Sequence, residues 1–151
     1  MLDDESGTMV IRSTAPRRST PIRVALTGAN GGYGRTLLDQ LRRLPDMAAV
    51  QLVDPDVAGV GRMLAELGVE PDRIATPASV DETAAAVAAG RIAVLADGAV
   101  IDFASIDVLV EATGRIEAGH AYADAALEHD THVVMVSKEI ESVAGVALAA
   151  K

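Results

Sequence analysis

The glycine-rich stretch at residues 28–34, GANGGYG, is the part of this sequence whose residue types and spacing best fit a chemical task. An apolar run at residues 22–26 precedes it and predicts a strand, and a helix is predicted to begin near Arg35. A strand, a tight glycine turn and a helix start form a site for the diphosphate of a dinucleotide, because the unpaired amides of the first helical turn face the anion.

Three glycines set the register of this turn, Gly28, Gly31 and Gly34, in a G-x-x-G-x-x-G pattern. The pattern is longer by one residue than the usual G-x-G-x-x-G, and Asn30 occupies the position of the second glycine. Gly28 permits a sharp turn off the strand, Gly31 lets the backbone approach a diphosphate, and Gly34 lets the helix pack on the strand. A purely structural turn would show the same glycines, but the flanking strand and helix favour cofactor binding. The candidate cofactor-binding residues here are Gly28, Ala29, Asn30, Gly31, Gly32, Tyr33 and Gly34.

A second candidate cofactor-binding residue, Asp54, follows the strand predicted at residues 50–53 and lies 20 residues beyond Gly34. A carboxylate at that place accepts hydrogen bonds from the adenosine ribose hydroxyls and repels a 2′-phosphate, so it favours NAD over NADP. The alternative is that Asp54 and Pro55 only form a turn. The nearest downstream arginine is Arg62, in the next predicted helix.

Two further candidates follow the strands predicted at residues 106–111 and 132–136. Gly114 would let the backbone pass under the nicotinamide while Thr113 offers a hydroxyl, and Lys138 would hold a substrate oxygen or transfer a proton as the catalytic residue. The alternatives are a strand-to-helix turn at Thr113 and an exposed lysine on the last helix. Because ligands bind outside the carboxyl ends of parallel strands, all these candidates are expected to converge there.

Composition bounds the class of protein. With 151 residues, the chain is about one domain long, and its net charge of −9 disfavours nucleic acid and anionic membranes as partners. Aromatic residues make up 2% and cysteine is absent, which disfavours base stacking and excludes thiolate chemistry. His120 and His129 have no metal-ligand partner at helical spacing, so no metal site is predicted. A small-molecule substrate and a cytoplasmic location are the expectation.

Strands and helices alternate along the chain, which predicts an α/β, Rossmann-type doubly wound sheet that is mostly parallel. Residues 1–20 are predicted to be a disordered tail and residues 21–151 an NAD(P)-binding domain. Asp97 and Gly98 predict a hairpin between residues 91–95 and 99–101, added at the sheet edge. Residues 71–75 are predicted to be a link or a short strand. Helices are expected at about residues 35–44, 57–67, 83–89, 117–128 and 141–151.

The segment from Asp107 to Glu139 resembles the nucleotide-binding half of homoserine dehydrogenases, which carry a V-x-E/D-A-T/S-G segment, a helix and then H-V-V with an N-K or S-K step. The hairpin and the extra helix before it resemble a branch of such oxidoreductases that carries a C-terminal SAF-type domain and includes a reductoisomerase-like enzyme acting on 1-deoxyxylulose 5-phosphate. The glycine turn is closer to that of dihydrodipicolinate reductase. The matching residues are Glu111, Ala112, Thr113, Gly114, His132, Val133, Val134 and Lys138.

The resemblance implies hydride transfer between NAD(P) and a small carbonyl or alcohol substrate, with residues 28–34 along the diphosphate, Thr113 and Gly114 near the nicotinamide, and Lys138 bordering the active site. It also implies a homo-oligomer and a substrate domain beyond Lys151, so the chain is expected to be a fragment that is inactive alone. The reductoisomerase-like enzymes prefer NADPH, whereas Asp54 favours NAD. A non-catalytic NAD(P)-sensing module with the same fold is the alternative function.

Overall fold

The structure, a computed structural model, describes residues 19–150. Its core is a six-stranded sheet in the order β3-β4-β2-β1-β5-β6, and every strand pair is parallel. This order confirms the predicted Rossmann-type α/β fold, because the chain moves outward from β1 in one direction and then, at β5, in the other. The tail predicted at residues 1–20 lies outside the described residues except for its last two.

The bounds of the elements follow the predicted alternation. The strands are β1 (Ile22–Thr27), β2 (Met47–Val53), β3 (Ile74–Ala75), β4 (Ile92–Leu95), β5 (Val108–Glu111) and β6 (His132–Met135). The helices are α1 (Gly32–Leu41), α2 (Val57–Glu66), α3 (Val80–Ala88), α4 (Ile116–Glu128) and α5 (Lys138–Ala149), and short 3₁₀ turns lie at Pro71–Arg73, Gly98–Val100 and Phe103–Ser105.

Helices cover both faces of the sheet, as in a doubly wound fold. On one face, α1 and α2 bury leucines such as Leu38 and Leu64 against Leu52 of β2. On the other face, α3 and α4 contribute Ala86 and Ala126 to a cluster of mostly small side chains. A core built from alanine and branched aliphatic residues lets these helices lie close to the sheet.

The predicted hairpin at Asp97 and Gly98 is wrong. β4 lies inside the sheet between β3 and β2 and runs parallel to both, with Ala93 opposite Gln51 of β2. A type I′ hairpin turn needs a positive φ at its central residues, whereas Asp97 is extended, with a φ of −142°. The Asp97 carboxylate instead accepts a hydrogen bond from the Ala99 amide at 2.9 Å and begins a 3₁₀ turn toward β5.

Three helices begin three residues earlier than the sequence predicts, among them α3, which begins at Val80 rather than residue 83. α1 begins at Gly32 rather than Arg35, so Gly32, Tyr33 and Gly34 form its first turn instead of a preceding loop. α5 begins at Lys138 rather than near residue 141. Residues 71–75, predicted as a link or short strand, form a 3₁₀ turn and the edge strand β3.

Candidate nucleotide-binding site

The glycine turn lies where the direction of strand order reverses, between β1 and β5. Gly28 has a φ of +70°, which favours glycine, and its amide donates to the Val53 carbonyl of β2 at 2.9 Å. A Cβ at Gly28 would lie 2.5 Å from the Ala112 carbonyl oxygen, beyond the end of β5. Gly28 is therefore required both for the turn and for the close approach of the loop that follows β5.

The first turn of α1 presents unpaired amides. Gly31 is the N-cap and contributes no side chain to the capping. Across residues 19–150, no acceptor is paired with the amides of Gly32, Tyr33 and Gly34, while the Arg35 amide donates to the Gly31 carbonyl at 3.1 Å. Tyr33 is 47% exposed, and a Cβ on Gly32 would meet open space. This turn has the unpaired donors that an anion binds.

Asp54 braces the glycine turn from the end of β2. One of its carboxylate oxygens accepts from the Asn30 amide at 2.9 Å, and the other accepts from the Asp56 amide at 2.9 Å. The Asn30 side chain donates to Asp56 at 3.0 Å, and Asp56 caps α2 through the Gly59 amide at 2.8 Å. Each Asp54 oxygen retains a lone pair, so the carboxylate can still accept from a ribose hydroxyl. Its bracing function was not predicted from the sequence.

The turn after β5 is held by a residue that the spacing analysis did not assign to the site. The fully buried Glu111 accepts hydrogen bonds through Oε1 from both the amide and the hydroxyl of Thr113, the amide at 2.8 Å. The Thr113 hydroxyl also accepts from the Arg115 amide at 3.1 Å. Gly114, with a φ of +65° and open space where a Cβ would lie, therefore presents the open face of this turn.

Lys138 lies beside this turn, at the first position of α5. The buried Ser137 that precedes it accepts a hydrogen bond from the Gly114 amide at 2.9 Å, so the ends of β5 and β6 are tied together. Lys138 is exposed, and its ammonium has no ion-pair partner among the side chains of residues 19–140 and 142–150. Its position agrees with both sequence interpretations, a group at the active site and an exposed lysine on the last helix.

The structure brings all the predicted site residues to one edge of the sheet. Asp54 contacts the glycine turn through Asn30, the glycine turn contacts the loop after β5 through Gly28, and Gly114 contacts Ser137 beside Lys138. The series runs across the carboxyl ends of β2, β1, β5 and β6, where Rossmann-type sheets bind ligands.

Tyr122 of α4 reaches the same edge, although the sequence indicated only an apolar helix position. Its ring packs against Gly98, so closely that a Cβ there would lie 2.7 Å from Cδ1. Burial raises the pKa of the Tyr122 hydroxyl above its ordinary value and the Asp97 carboxylate raises it further, while a hydrogen bond from the Gly98 backbone and the charge of Arg115 partly lower it. Tyr122 stays neutral beside an acidic loop at neutral pH.

No cluster of three or more potential metal ligands occurs among residues 19–150. His129 stacks on Phe103 with ring centroids 4.7 Å apart, and its Nδ1 lies 2.8 Å from the Ala125 carbonyl, so its contacts are structural. Within the same described range, no helix is both long and apolar enough to cross a membrane.

No protein-family model and no curated protein matches the chain. Among solved structures, it is similar to an oxidoreductase from Agrobacterium radiobacter in complex with NAD+, L-tartaric acid and magnesium, with 17% identity and a TM-score of 0.53 over 77% of this chain and 27% of that one. GenD2 from gentamicin A biosynthesis, in complex with NAD, matches with 19% identity and a TM-score of 0.39 over 84% of this chain and 37% of that one. The first likeness establishes the shared Rossmann-type fold, and the chain spans about a quarter of the length of that oxidoreductase.

Proposed function

We propose that this chain is the nucleotide-binding domain of an NAD-dependent oxidoreductase. The observation that carries the proposal is the row of three unpaired amides, on Gly32, Tyr33 and Gly34, at the point where strand order reverses. Amides at a helix start stabilise a diphosphate through direct hydrogen bonds and through the positive end of the helix dipole. The Agrobacterium oxidoreductase, which shares this fold, was crystallised with NAD+.

The adenosine end of the cofactor is assigned to the side of Asp54. Its carboxylate is fixed by two backbone amides, so it need not be ordered when a ribose binds. A 2′-phosphate at this position would meet both Asp54 and Asp56, and the nearby Arg62 guanidinium is paired with Asp56 at 3.8 Å. We therefore assign NAD rather than NADP as the preferred cofactor.

The nicotinamide end is assigned to the open face of Gly114. A flat ring can lie on a backbone with no Cβ, and the space above Gly114 is open. Lys138, near this turn through Ser137, would hold or protonate the oxygen of a small carbonyl substrate during hydride transfer, in the manner of homoserine-dehydrogenase-like enzymes.

The variant Gly32→Asp tests diphosphate binding. Because a Cβ at Gly32 meets open space, the fold should tolerate the change. A carboxylate in the first turn should interact favourably with the positive end of the helix dipole and raise the free energy of unfolding by about 0.5 kcal/mol. The same carboxylate would repel the diphosphate and lower NAD affinity by about tenfold or more. Calorimetric titration with NAD and urea denaturation measure the two effects, which have opposite signs.

Ala88→Asp is the matched control. Ala88 is exposed in the last turn of α3, on the other face of the sheet from α1, and its substitution changes the net charge equally. NAD affinity should stay within about twofold of the wild type, since exposed charges farther apart than a Debye length are largely screened. A Gly32→Asp chain that folds and binds NAD like the wild type would refute the proposed diphosphate site.

A further inference from the structure

Glu111 carries a buried oxygen without a hydrogen-bond partner. Its side chain is fully buried at the end of β5. Among the buried side-chain oxygen and nitrogen atoms of residues 19–150, its Oε2 is the one that has no hydrogen-bond partner. An apolar side chain of similar size would avoid the cost of burying this oxygen. Stability alone therefore does not explain a carboxylate at this position.

Space for the carboxylate is provided by Gly119, the fourth residue of α4. A Cβ at Gly119 would lie 2.6 Å from Cδ and from Oε1 of Glu111, closer than packed atoms approach. Glycine in a helix interior is itself less favourable than alanine. Two unfavourable features, a buried unpaired oxygen and an internal helix glycine, thus occur at one contact.

The carboxylate fixes the turn on which the nicotinamide is proposed to lie. Through Oε1 it holds both the amide and the hydroxyl of Thr113, and on the other side of Gly114 the Ser137 hydroxyl holds the Gly114 amide. Both bonds to Thr113 end on the same oxygen, so a displacement of Oε1 moves the amide and the hydroxyl of Thr113 together. The position of Gly114 is therefore set from both sides by buried side chains.

We propose that Glu111 is a positioning residue for the nicotinamide half of the cofactor: it holds Thr113 so that Gly114 presents a fixed backbone surface to the ring. This inference rests on the proposed function. The adenosine and diphosphate halves should not depend on Glu111, because Ala112, which Gly28 contacts, is held separately by the Thr27 hydroxyl at 3.4 Å.

The test compares NAD with ADP-ribose, which has the same adenosine and diphosphate but no nicotinamide. Glu111→Gln keeps the shape but replaces one carboxyl oxygen with an NH2 group, so the hydrogen bonds to Thr113 weaken. NAD affinity of the 151-residue chain should fall about fivefold, while ADP-ribose affinity stays within about twofold. A merely structural role would lower both affinities in parallel.

Gly119→Ala reaches the same carboxylate from α4 without changing its chemistry. The added methyl must displace Glu111 or Ile140, and NAD should again lose more affinity than ADP-ribose. Gly61→Ala in α2 is the matched control, because a Cβ there meets nothing within 4 Å, and it should leave both affinities unchanged.

The outcomes separate this inference from the proposed function. Parallel losses for the two ligands, no loss for either, or unfolding of both the Glu111→Gln and Gly119→Ala chains would overturn the positioning role. A wild-type chain that binds ADP-ribose as tightly as NAD would also overturn it, while nucleotide binding stands. A wild-type chain that binds neither ligand removes the proposed function and this inference with it.

Discussion

Asp54 is the residue on which cofactor choice depends in the proposed function. Asp54→Asn removes the charge and keeps one acceptor oxygen, which suffices for one of the two backbone amides that Asp54 holds, that of Asn30 or that of Asp56. Repulsion of a 2′-phosphate should then fall, and we expect the preference for NAD over NADP to narrow by about tenfold, chiefly through tighter NADP binding. Calorimetric titration of both cofactors at one ionic strength measures this change.

Asp56→Asn is the matched control for this prediction. It removes the same charge from a neighbouring residue, and asparagine caps a helix as well as aspartate does, so α2 should remain intact. Because Asp56 would also face a 2′-phosphate and is paired with Arg62, Asp56→Asn should narrow the preference too, but by less than Asp54→Asn if direct contact with Asp54 dominates. Equal narrowing by both variants would indicate a general acidic field instead, and NADP binding more tightly than NAD to the wild type would contradict the assignment.

Residue types and spacing predict where the candidate site residues lie along the chain. The hydrogen bonds that hold them in place are seen only in the structure. The positions of Gly28 and Asp54 follow from periodicity, because strand ends and glycine turns have characteristic spacings. The grip of Glu111 on Thr113 does not, since it depends on a rotamer and on the space left by Gly119 of α4. Contacts between elements that are distant in sequence carry no local signal.

At the scale of elements, the segment after β4 shows how tertiary structure overrides a local turn signal. Asp97 and Gly98 are typical of a hairpin, but β2 already offers β4 a parallel partner, and a parallel pairing cannot be closed by a tight turn. The chain instead crosses to β5 through two 3₁₀ turns, and Ile101 between them is 4% exposed in the core. Burial of apolar side chains such as Ile101 in this crossover therefore outweighs the local turn preference of Asp97 and Gly98.

Gly98→Ala should destabilise the crossover. The added methyl would overlap the ring of Tyr122, which α4 places against the 3₁₀ turn at Gly98–Val100. The ring is partly buried there and cannot move away freely. Overpacking of this kind costs about 1–3 kcal/mol of the free energy of unfolding, measurable by urea denaturation. The matched control is Gly61→Ala, where open space and better helix propensity predict up to about 1 kcal/mol of added stability.

Equal stabilities of the two alanine variants would show that Tyr122 and the crossover do not pack as described. Tyr122→Phe should not restore the stability that Gly98→Ala loses, because phenylalanine keeps the ring that the added methyl overlaps. Tyr122→Ala should instead relieve the overlap, so that the two substitutions cost less together than the sum of their separate effects.

For the whole molecule, 22 acidic against 13 basic residues give a net charge of −9, and self-repulsion grows in the alkaline range as the two lysines lose their charge. The chain contains two tyrosines, Tyr33, which is 47% exposed, and Tyr122, which is half-buried. Burial and Asp97 raise the pKa of Tyr122 in the folded chain above the ordinary value of 10.0. General repulsion and the ionisation of Tyr122 therefore both lower stability in the alkaline range and must be separated.

The substitution Tyr122→Phe separates the effect of general repulsion from that of Tyr122 ionisation. Near pH 10.0 the unfolded chain releases the tyrosine proton before the folded chain does. The stability linked to Tyr122 is therefore present below pH 10.0 and is lost as the pH rises from there through the raised pKa of the folded chain. The free energy of unfolding, measured by urea denaturation at pH values on both sides of 10, should thus fall more steeply for the wild type than for Tyr122→Phe. Tyr33→Phe, at the exposed tyrosine of α1, is the matched control for the loss of a hydroxyl group. Parallel curves for the wild type and Tyr122→Phe would mean that the loss of positive charge from the acidic chain, and not Tyr122, accounts for the alkaline loss.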